Sequence, residues 1–243
     1  MEFRIDFFFR VVMDIIYYSV QFAFFHIIYL QTDILAGWSI EQIRLFVCTF
    51  IIVDALMMTF IANGLWLFPQ HINSGDLDTY LTRPVNSLFF LTLRDFAANS
   101  FLNLLLALGI GLFIFTTSSF DFTLSQLVVY PLMLIVATVL YSFLQLIFII
   151  PVFWIQSPNG LGNLFYTMAH SMERPVQVYK GTTRFIFTFV LPFGMMTTYP
   201  ASAVLSEDPW ILLWLQLGVA FIFWVILQFF WKLGLRNYTS ASS

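Results

Sequence analysis

Charge is what this chain has least of: 10 Lys and Arg and 13 Asp and Glu are spread over 243 residues, 9% of the total. With 60% of residues hydrophobic and a mean hydropathy of +0.88, too few polar side chains remain to coat a soluble globule. Lipid is therefore the solvent for most of its surface. The net charge of −3, without a basic stripe or tail, excludes the electrostatic footprint of a nucleic-acid binder. A single cysteine, Cys48, excludes an internal disulfide and any multi-cysteine metal site, and its apolar surroundings make it a packing residue. Other absences bear on chemistry. No G-x-x-x-x-G-K-[ST] phosphate loop, no H-E-x-x-H pair and no G-x-S-x-G elbow occurs. His26, His71 and His170 fall in separate segments, so no metal or hydrolytic centre is expected.

What is present is a series of apolar runs. A bilayer core about 30 Å thick needs about 20 helical residues, and six runs of that order occur, at about 8–30, 43–65, 96–116, 124–150, 185–205 and 210–231. The expected fold is all-α, one polytopic transmembrane domain over 1–243 with six membrane helices. The first run is as long as a span and lacks a small-residue cleavage site after it, so it is expected to be retained as a helix and not removed as a signal peptide.

Basic residues orient the six-span arrangement. Arg4, Arg10, Arg83, Arg94, Arg174, Lys180, Arg184, Lys232 and Arg236 fall on one side of it, and Arg44 on the other with Asp33, Glu41, Asp121, Glu207 and Asp208. The positive-inside rule then places both termini and two longer loops, about 66–95 and 156–184, in the cytoplasm. In the first loop, Asn73 or Ser74 is a suitable N-cap, Asp76 and Asp78 suit the positive end of a helix dipole, and Pro84 bars continuation. The spacing predicts a helix over 74–83, about two to three turns long. Leu77, Tyr80 and Leu81 form one apolar stripe on it, which either presses on the membrane surface or fills a groove on a partner.

The pattern Ile72-x-x-Gly75-x-Leu77-Asp78-x-x-Leu81-x-Arg83-Pro84-Val85-Asn86 resembles the cytoplasmic loop signature of the permease subunits of type-2 ABC (ABC-2) exporters. Further pieces are similar, in the same order, to the six-helix branch of that family: Phe3-Arg4-Ile5-Asp6-Phe7-Phe8, Ala36-Gly37-Trp38-Ser39, Glu173-Arg174-Pro175-Val176-x-Val178-Tyr179, Leu191-Pro192-Phe193 and Tyr199-Pro200-Ala201. The resemblance spans nearly the whole chain. One departure is that family members commonly carry a cytoplasmic amphipathic segment before the first span, where only a few residues stand here.

The resemblance implies a transport subunit that is not itself an enzyme and binds no cofactor, with ATP and Mg held by two copies of a separate ATPase. It implies pairing with a second permease, identical or related, in a bacterial cytoplasmic (inner) membrane, and export as the direction. Gly75, Leu77, Asp78, Tyr80, Leu81, Arg83 and Pro84 would form the ATPase-coupling helix. Glu173, Arg174, Pro175 and Tyr179 would form a second cytoplasmic contact or gate. Pro192, Tyr199 and Pro200 would break the chain into short re-entrant helices on the outer side, between the fifth and sixth spans.

Polar residues inside the spans are the remaining candidates, because a charge near the bilayer centre costs at least about 2.5 to 3.5 kcal/mol. Asp54 lies mid-span and should face the bundle interior, a water-filled path, or a partner such as Asn99 or Asn103. It is either a hydrogen-bonded packing residue or part of a substrate pathway. A proton-coupled secondary transporter working through Asp54 is the alternative to an ATP-driven one. Asp14 is expected to pair with Arg10, while Gln21 and Gln145 are candidates for interhelical hydrogen bonds. Trp38, Trp66, Trp154, Trp210 and Trp231 are expected in an aromatic belt, and the 31 Phe as ordinary lipid-facing residues.

Overall fold

The computed structural model describes residues 2–82, 84, 86–95, 97, 100–155 and 160–238, without the side chains of residues 2–7, 10 and 160. Twelve α-helices follow one another among the described residues: α1 Glu2–Tyr29, α2 Ile40–Phe60, α3 Ala62–Asn73, α4 Leu77–Leu81, α5 Ser87–Leu93, α6 Phe101–Thr117, α7 Leu124–Ile149, α8 Val152–Ile155, α9 Gly160–Ala169, α10 Gly181–Phe185, α11 Phe193–Ala203 and α12 Pro209–Asn237. Those residues hold no β-strand, only an isolated bridge between Leu35 and Trp38. The all-α expectation is met.

Four helical stretches are long and apolar enough to cross a membrane, within α1, α2, α7 with α8, and α12; α6 is a shorter apolar helix. Local sequence sets several boundaries. Ser39 starts α2 through a capping box, its N–H donating to Gln42 Oε1 at 2.9 Å and its Oγ accepting from Gln42 N at 3.4 Å. Thr123 and Gln126 repeat that device at the start of α7. Pro209 occupies the first turn of α12, where its missing N–H costs nothing.

The bundle is organised around α2. Its apolar window is 72% buried, against 17% for α1 and 28% for α12, so α2 is the central element and the other two present broad apolar faces outward. Phe46, Cys48 and Ile51 of α2 are fully buried, and a Cβ on Gly111 of α6 would stand 3.2 Å from Cys48 Sγ. That close approach confirms Cys48 as a packing residue. Trp66, Trp154 and Trp210 are exposed, as a belt requires, but Trp38 and Trp231 are not. Trp38 packs on Phe46 at 6.0 Å, and Trp231 between Phe68 and Phe153 at 5.8 and 5.7 Å.

The second and fifth expected spans differ most from the observed elements. The second breaks at Ile61 (φ −127°), after which α3 runs on to Asn73. The fifth, 185–205, is not one helix. A π-helical turn Ile186–Val190 follows α10, the chain breaks at Leu191 and Pro192, and α11 begins at Phe193. Pro192 therefore marks a real break, whereas Tyr199 and Pro200 lie within α11.

The segment 156–184, expected as a cytoplasmic loop, is instead part of the bundle over most of its described length. Phe165 of α9 packs on Tyr141 and Phe148, at 5.1 and 5.5 Å, in the second half of α7. α11 takes over along the first half, where Ala203 joins Val129 and Met133 in one apolar cluster. The two meet at Phe165 and Phe193, whose ring centroids are 5.9 Å apart. Backbone groups in the turns after α9 are satisfied by α11: Thr197 Oγ1 donates to Met172 O, and Val176 N to Thr198 Oγ1, both at 3.0 Å. Arg184 shares a cavity of about 450 Å3 with Tyr199 and Leu212, and Leu212 packs on the Val129 cluster. Arg184 thus stands toward the Leu124 end of α7, away from Arg94 and not beside it. Hydropathy missed α9 because it is short and Asn163, Tyr166 and Thr167 dilute it.

Candidate functional site

Two regions carry the candidate residues. The first is the turn beyond α3. Ser74 ends α3 and does not start the next helix: its N–H donates to Gln70 O at 2.9 Å, and its Oγ to Asp76 Oδ2 at 2.7 Å. Gly75 follows at φ +80°, a left-handed conformation that glycine adopts without steric cost. The helix after it has five residues, Leu77–Leu81, shorter than the expected 74–83, because α3 has already used the chain as far as Asn73.

The apolar stripe of this short helix is divided. Leu77 is fully buried and Tyr80 buried, in a cluster with Phe68 and Ile72 of α3, Leu88 and Leu91 of α5, and Trp231 of α12. Leu81 is 38% exposed, beside exposed Thr79 and Thr82. Two of the three residues therefore fix the turn to the protein and one faces outward. Tyr80 is held further by a hydrogen bond from Arg94, whose guanidinium carbon lies 5.5 Å from the ring centroid, and by the His71 ring at 5.3 Å. Asp78 stands beside Tyr238, just past α12; burial first and the Asp78 carboxylate second push the Tyr238 phenol above its ordinary value. Arg83 lies outside the described residues, and Pro84 is exposed.

Glycine allows this end to close. A Cβ on Gly64 of α3 would lie 2.5 Å from Leu91 O and 2.6 Å from Thr92 O, so α5 crosses directly over α3. Gly234 of α12 lies under the Phe153 ring, 2.5 Å from where its Cβ would be.

The second region is a cavity of about 1130 Å3 bounded by α1, α2, α3, α6, α7, α9 and the turn after α9. Asp54 is on its wall, with Asn103 of α6 and Gln145 of α7. Asn99, the other partner considered for Asp54, lies outside the described residues. Asp14 lines the cavity too, while the side chain of Arg10, its expected partner, is outside the described set.

Glu173 belongs here and not to a solvent-facing loop. Tyr17 OH donates to Glu173 Oε1 at 3.1 Å, Gln21 Nε2 to Oε2 at 3.2 Å, and His170 Nδ1 lies 2.7 Å from Oε1. Both α1 donors are far from the ends of a 28-residue helix. Gln145 Nε2 donates to Tyr166 OH at 2.7 Å, which in turn accepts from Trp66 Nε1. The expected interhelical roles of Gln21 and Gln145 are both met, on α9 and the turn that follows it. The Arg174 guanidinium lies over the Phe24 ring at 5.8 Å, Pro175 is buried, and the Tyr179 ring is 4.9 Å from Phe187.

Sequence reasoning missed Tyr166, Trp66 and Glu173 as neighbours of Asp54. A signal existed: Asn163, Tyr166, His170 and Glu173 recur at helical spacing, a polar stripe that a helix would turn toward one side.

Carboxylates, amides and aromatic rings from seven segments face a common space, and among the described residues no three His, Cys, Asp or Glu are placed to hold a metal ion. A family model described as ABC-2 family transporter protein matches residues 15–242. No curated protein and no solved structure matches the chain.

Proposed function

The chain belongs to the ABC-2 family of transporter proteins, and on that footing we propose that it is the permease subunit of an exporter driven by a separate ATPase. The observation that carries this reading is the exposed tip at Thr79, Leu81 and Thr82, fixed through Leu77 and Tyr80 to α3, α5 and α12. A force applied there by a soluble partner reaches α3 and, across Ile61, the helix that carries Asp54.

In this reading the permease supplies the path and the partner supplies the energy, with ATP and Mg held on the ATPase. Two permeases, identical or related, and two ATPases make the working unit in a bacterial cytoplasmic membrane. Six crossings fit best as α1, α2 with α3, α6, α7, a fifth that starts in α9 and continues through the turns after it, and α12, with 181–203 re-entrant from the outer side. Both termini then face the cytoplasm. Support for that orientation is the likeness of the α4 turn to the family's cytoplasmic loop; the basic residues are divided, with Arg94, Lys232 and Arg236 toward the α4 end and Arg44, Arg174 and Arg184 toward the other.

The test is purification from the native membrane in mild detergent, with mass spectrometry of what accompanies the chain. Co-purification of an ATPase with a phosphate-binding loop is the expected result, and a second permease alongside it would make the pair a heterodimer. A protein that is self-associated only, and whose transport collapses with the proton gradient and with Asp54→Asn, would replace this reading with a secondary transporter.

A further inference from the structure

The cavity of about 450 Å3 around Arg184 is separate from the one beside Asp54, and the permease reading makes no use of it. Its polar lining can be read as a set of donors. The Arg184 guanidinium, the Gln177 amide and the hydroxyls of Tyr199 and Ser202 bound it from α10, the turn before α10, and α11. Among the described residues, none of these four side-chain groups has a hydrogen-bond or ion-pair partner. Thr188, also in the lining, directs its hydroxyl to the Arg184 carbonyl at 2.7 Å. The described lining contains no Asp or Glu, and the acids of the loop before α12, Glu207 and Asp208, are exposed and stand outside it. A guanidinium in so apolar a bundle needs a counter-charge or water. The other wall of the cavity is apolar. Phe185 and Phe189, with ring centroids 5.4 Å apart, are both exposed, so the cavity continues into the surface that the bundle presents to lipid. Leu212 lies in the first turn of α12, which sets the cavity at the depth where head groups meet acyl chains.

We propose that this cavity holds the phosphate head group of an anionic phospholipid. Arg184 pairs with the phosphate, Gln177, Tyr199 and Ser202 donate to its oxygens, and an acyl chain leaves over Phe185 and Phe189. Arginine meets phosphate through parallel N–H donors, and basic pockets between membrane helices take lipid head groups. A cation is disfavoured by the guanidinium, which no acid in the described lining offsets. Inorganic phosphate would satisfy the donors and leave the apolar wall uncovered. A zwitterionic lipid would cover that wall and bring a second positive charge toward Arg184. The volume is that of a small-ligand site and not of a single ion. Assignment of this lipid to the outer leaflet rests on the orientation proposed above; its binding rests neither on that orientation nor on an ATPase.

The protein, purified in mild detergent with the subunits that accompany it and washed free of native lipid, is titrated with radiolabelled phosphatidylglycerol. Phosphatidylcholine is the zwitterionic control. Saturable binding of phosphatidylglycerol and not of phosphatidylcholine is expected, and Arg184→Gln should weaken it by at least about tenfold, as loss of a hydrogen-bonded charge does. Arg44→Gln removes the same charge from a different cavity at the same end of the bundle and should leave the affinity unchanged. Should Arg184→Gln fail to elute as a homogeneous species, Tyr199→Phe, which keeps the ring and removes one donor, should weaken binding by about fivefold. Equal binding of the two lipids, no saturable binding of phosphatidylglycerol, equal losses from Arg184→Gln and Arg44→Gln, or unchanged affinity in well-folded Arg184→Gln and Tyr199→Phe overturns the proposal. Displacement of the lipid by inorganic phosphate at equal concentration also overturns it, by making the ligand a free anion.

Discussion

Tyr17 OH donates to Glu173 Oε1 across 3.1 Å, joining two residues 156 positions apart in the chain. That bond, with Gln21 beside it, ties the otherwise exposed α1 to the turn that ends α9, and it closes one side of the Asp54 cavity.

Replacing Tyr17 by Phe keeps the ring and removes the donor. The expected cost is about 1 kcal/mol, read as a fall of about 2–4 °C in the thermal unfolding midpoint of the purified protein. Glu173→Leu should cost more, because it leaves Tyr17, Gln21 and His170 without their shared acceptor. Equal effects of the two would mean that Glu173 holds nothing together.

Leu77 and Leu81 should separate stability from partner binding. Leu81→Asp changes an exposed position and is expected to leave expression and elution unchanged while abolishing co-purification of the ATPase. Leu77→Ala empties a fully buried position and should destabilise the protein by about 2–5 kcal/mol. An ATPase that stays bound to the Leu81→Asp variant would remove this tip from the contact.

Gly64→Ala places a methyl group against the Leu91 and Thr92 backbone carbonyls, which cannot turn aside as a side chain can. Loss of most folded protein in detergent, assayed by size-exclusion chromatography, is expected. Gly234→Ala meets the Phe153 ring instead, and Phe153→Leu in the same chain should restore part of the lost yield.

Gly75→Ala forces a Cβ into a left-handed turn at φ +80°, at a cost of about 1–2 kcal/mol. Because this turn sets the direction of α4, the variant should show weaker ATPase retention than its modest loss of thermal stability alone explains. A change in stability with undiminished retention would mean that the direction of α4 is immaterial.

The sequence made the helical class and four long apolar helices legible because each is written as a long apolar run. The start of α7 at Leu124 and the approximate extent of α12 followed directly. What it concealed lies where polarity and packing diverge. α9 is too polar for a hydropathy window, yet it is drawn into the bundle by Phe165 and by the hydrogen bonds of Tyr166. The stripe Leu77, Tyr80, Leu81 was visible, but periodicity cannot tell that two of its members face Phe68 and Trp231 and one faces out. Asp54 was singled out correctly as a residue facing the interior; Glu173, 119 positions later, could be joined to it only by the fold.

Between α9 and α11 the chain leaves regular helix, and the carbonyl of Met172 and the amide of Val176 are satisfied by threonine hydroxyls and not by the next turn. A continuous helix transmits rotation and translation from one end to the other, since bending it breaks its own ladder of bonds. Here that ladder is interrupted, and it is the Phe165–Phe193 contact and the Thr197 and Thr198 hydroxyls that join α9 and its turn to α11, while Gln216 of α12 ties α11 to α7 through the Met195 and Met133 carbonyls. Any displacement of α9 is thereby handed to α11 through side chains, and not along a continuous helical backbone.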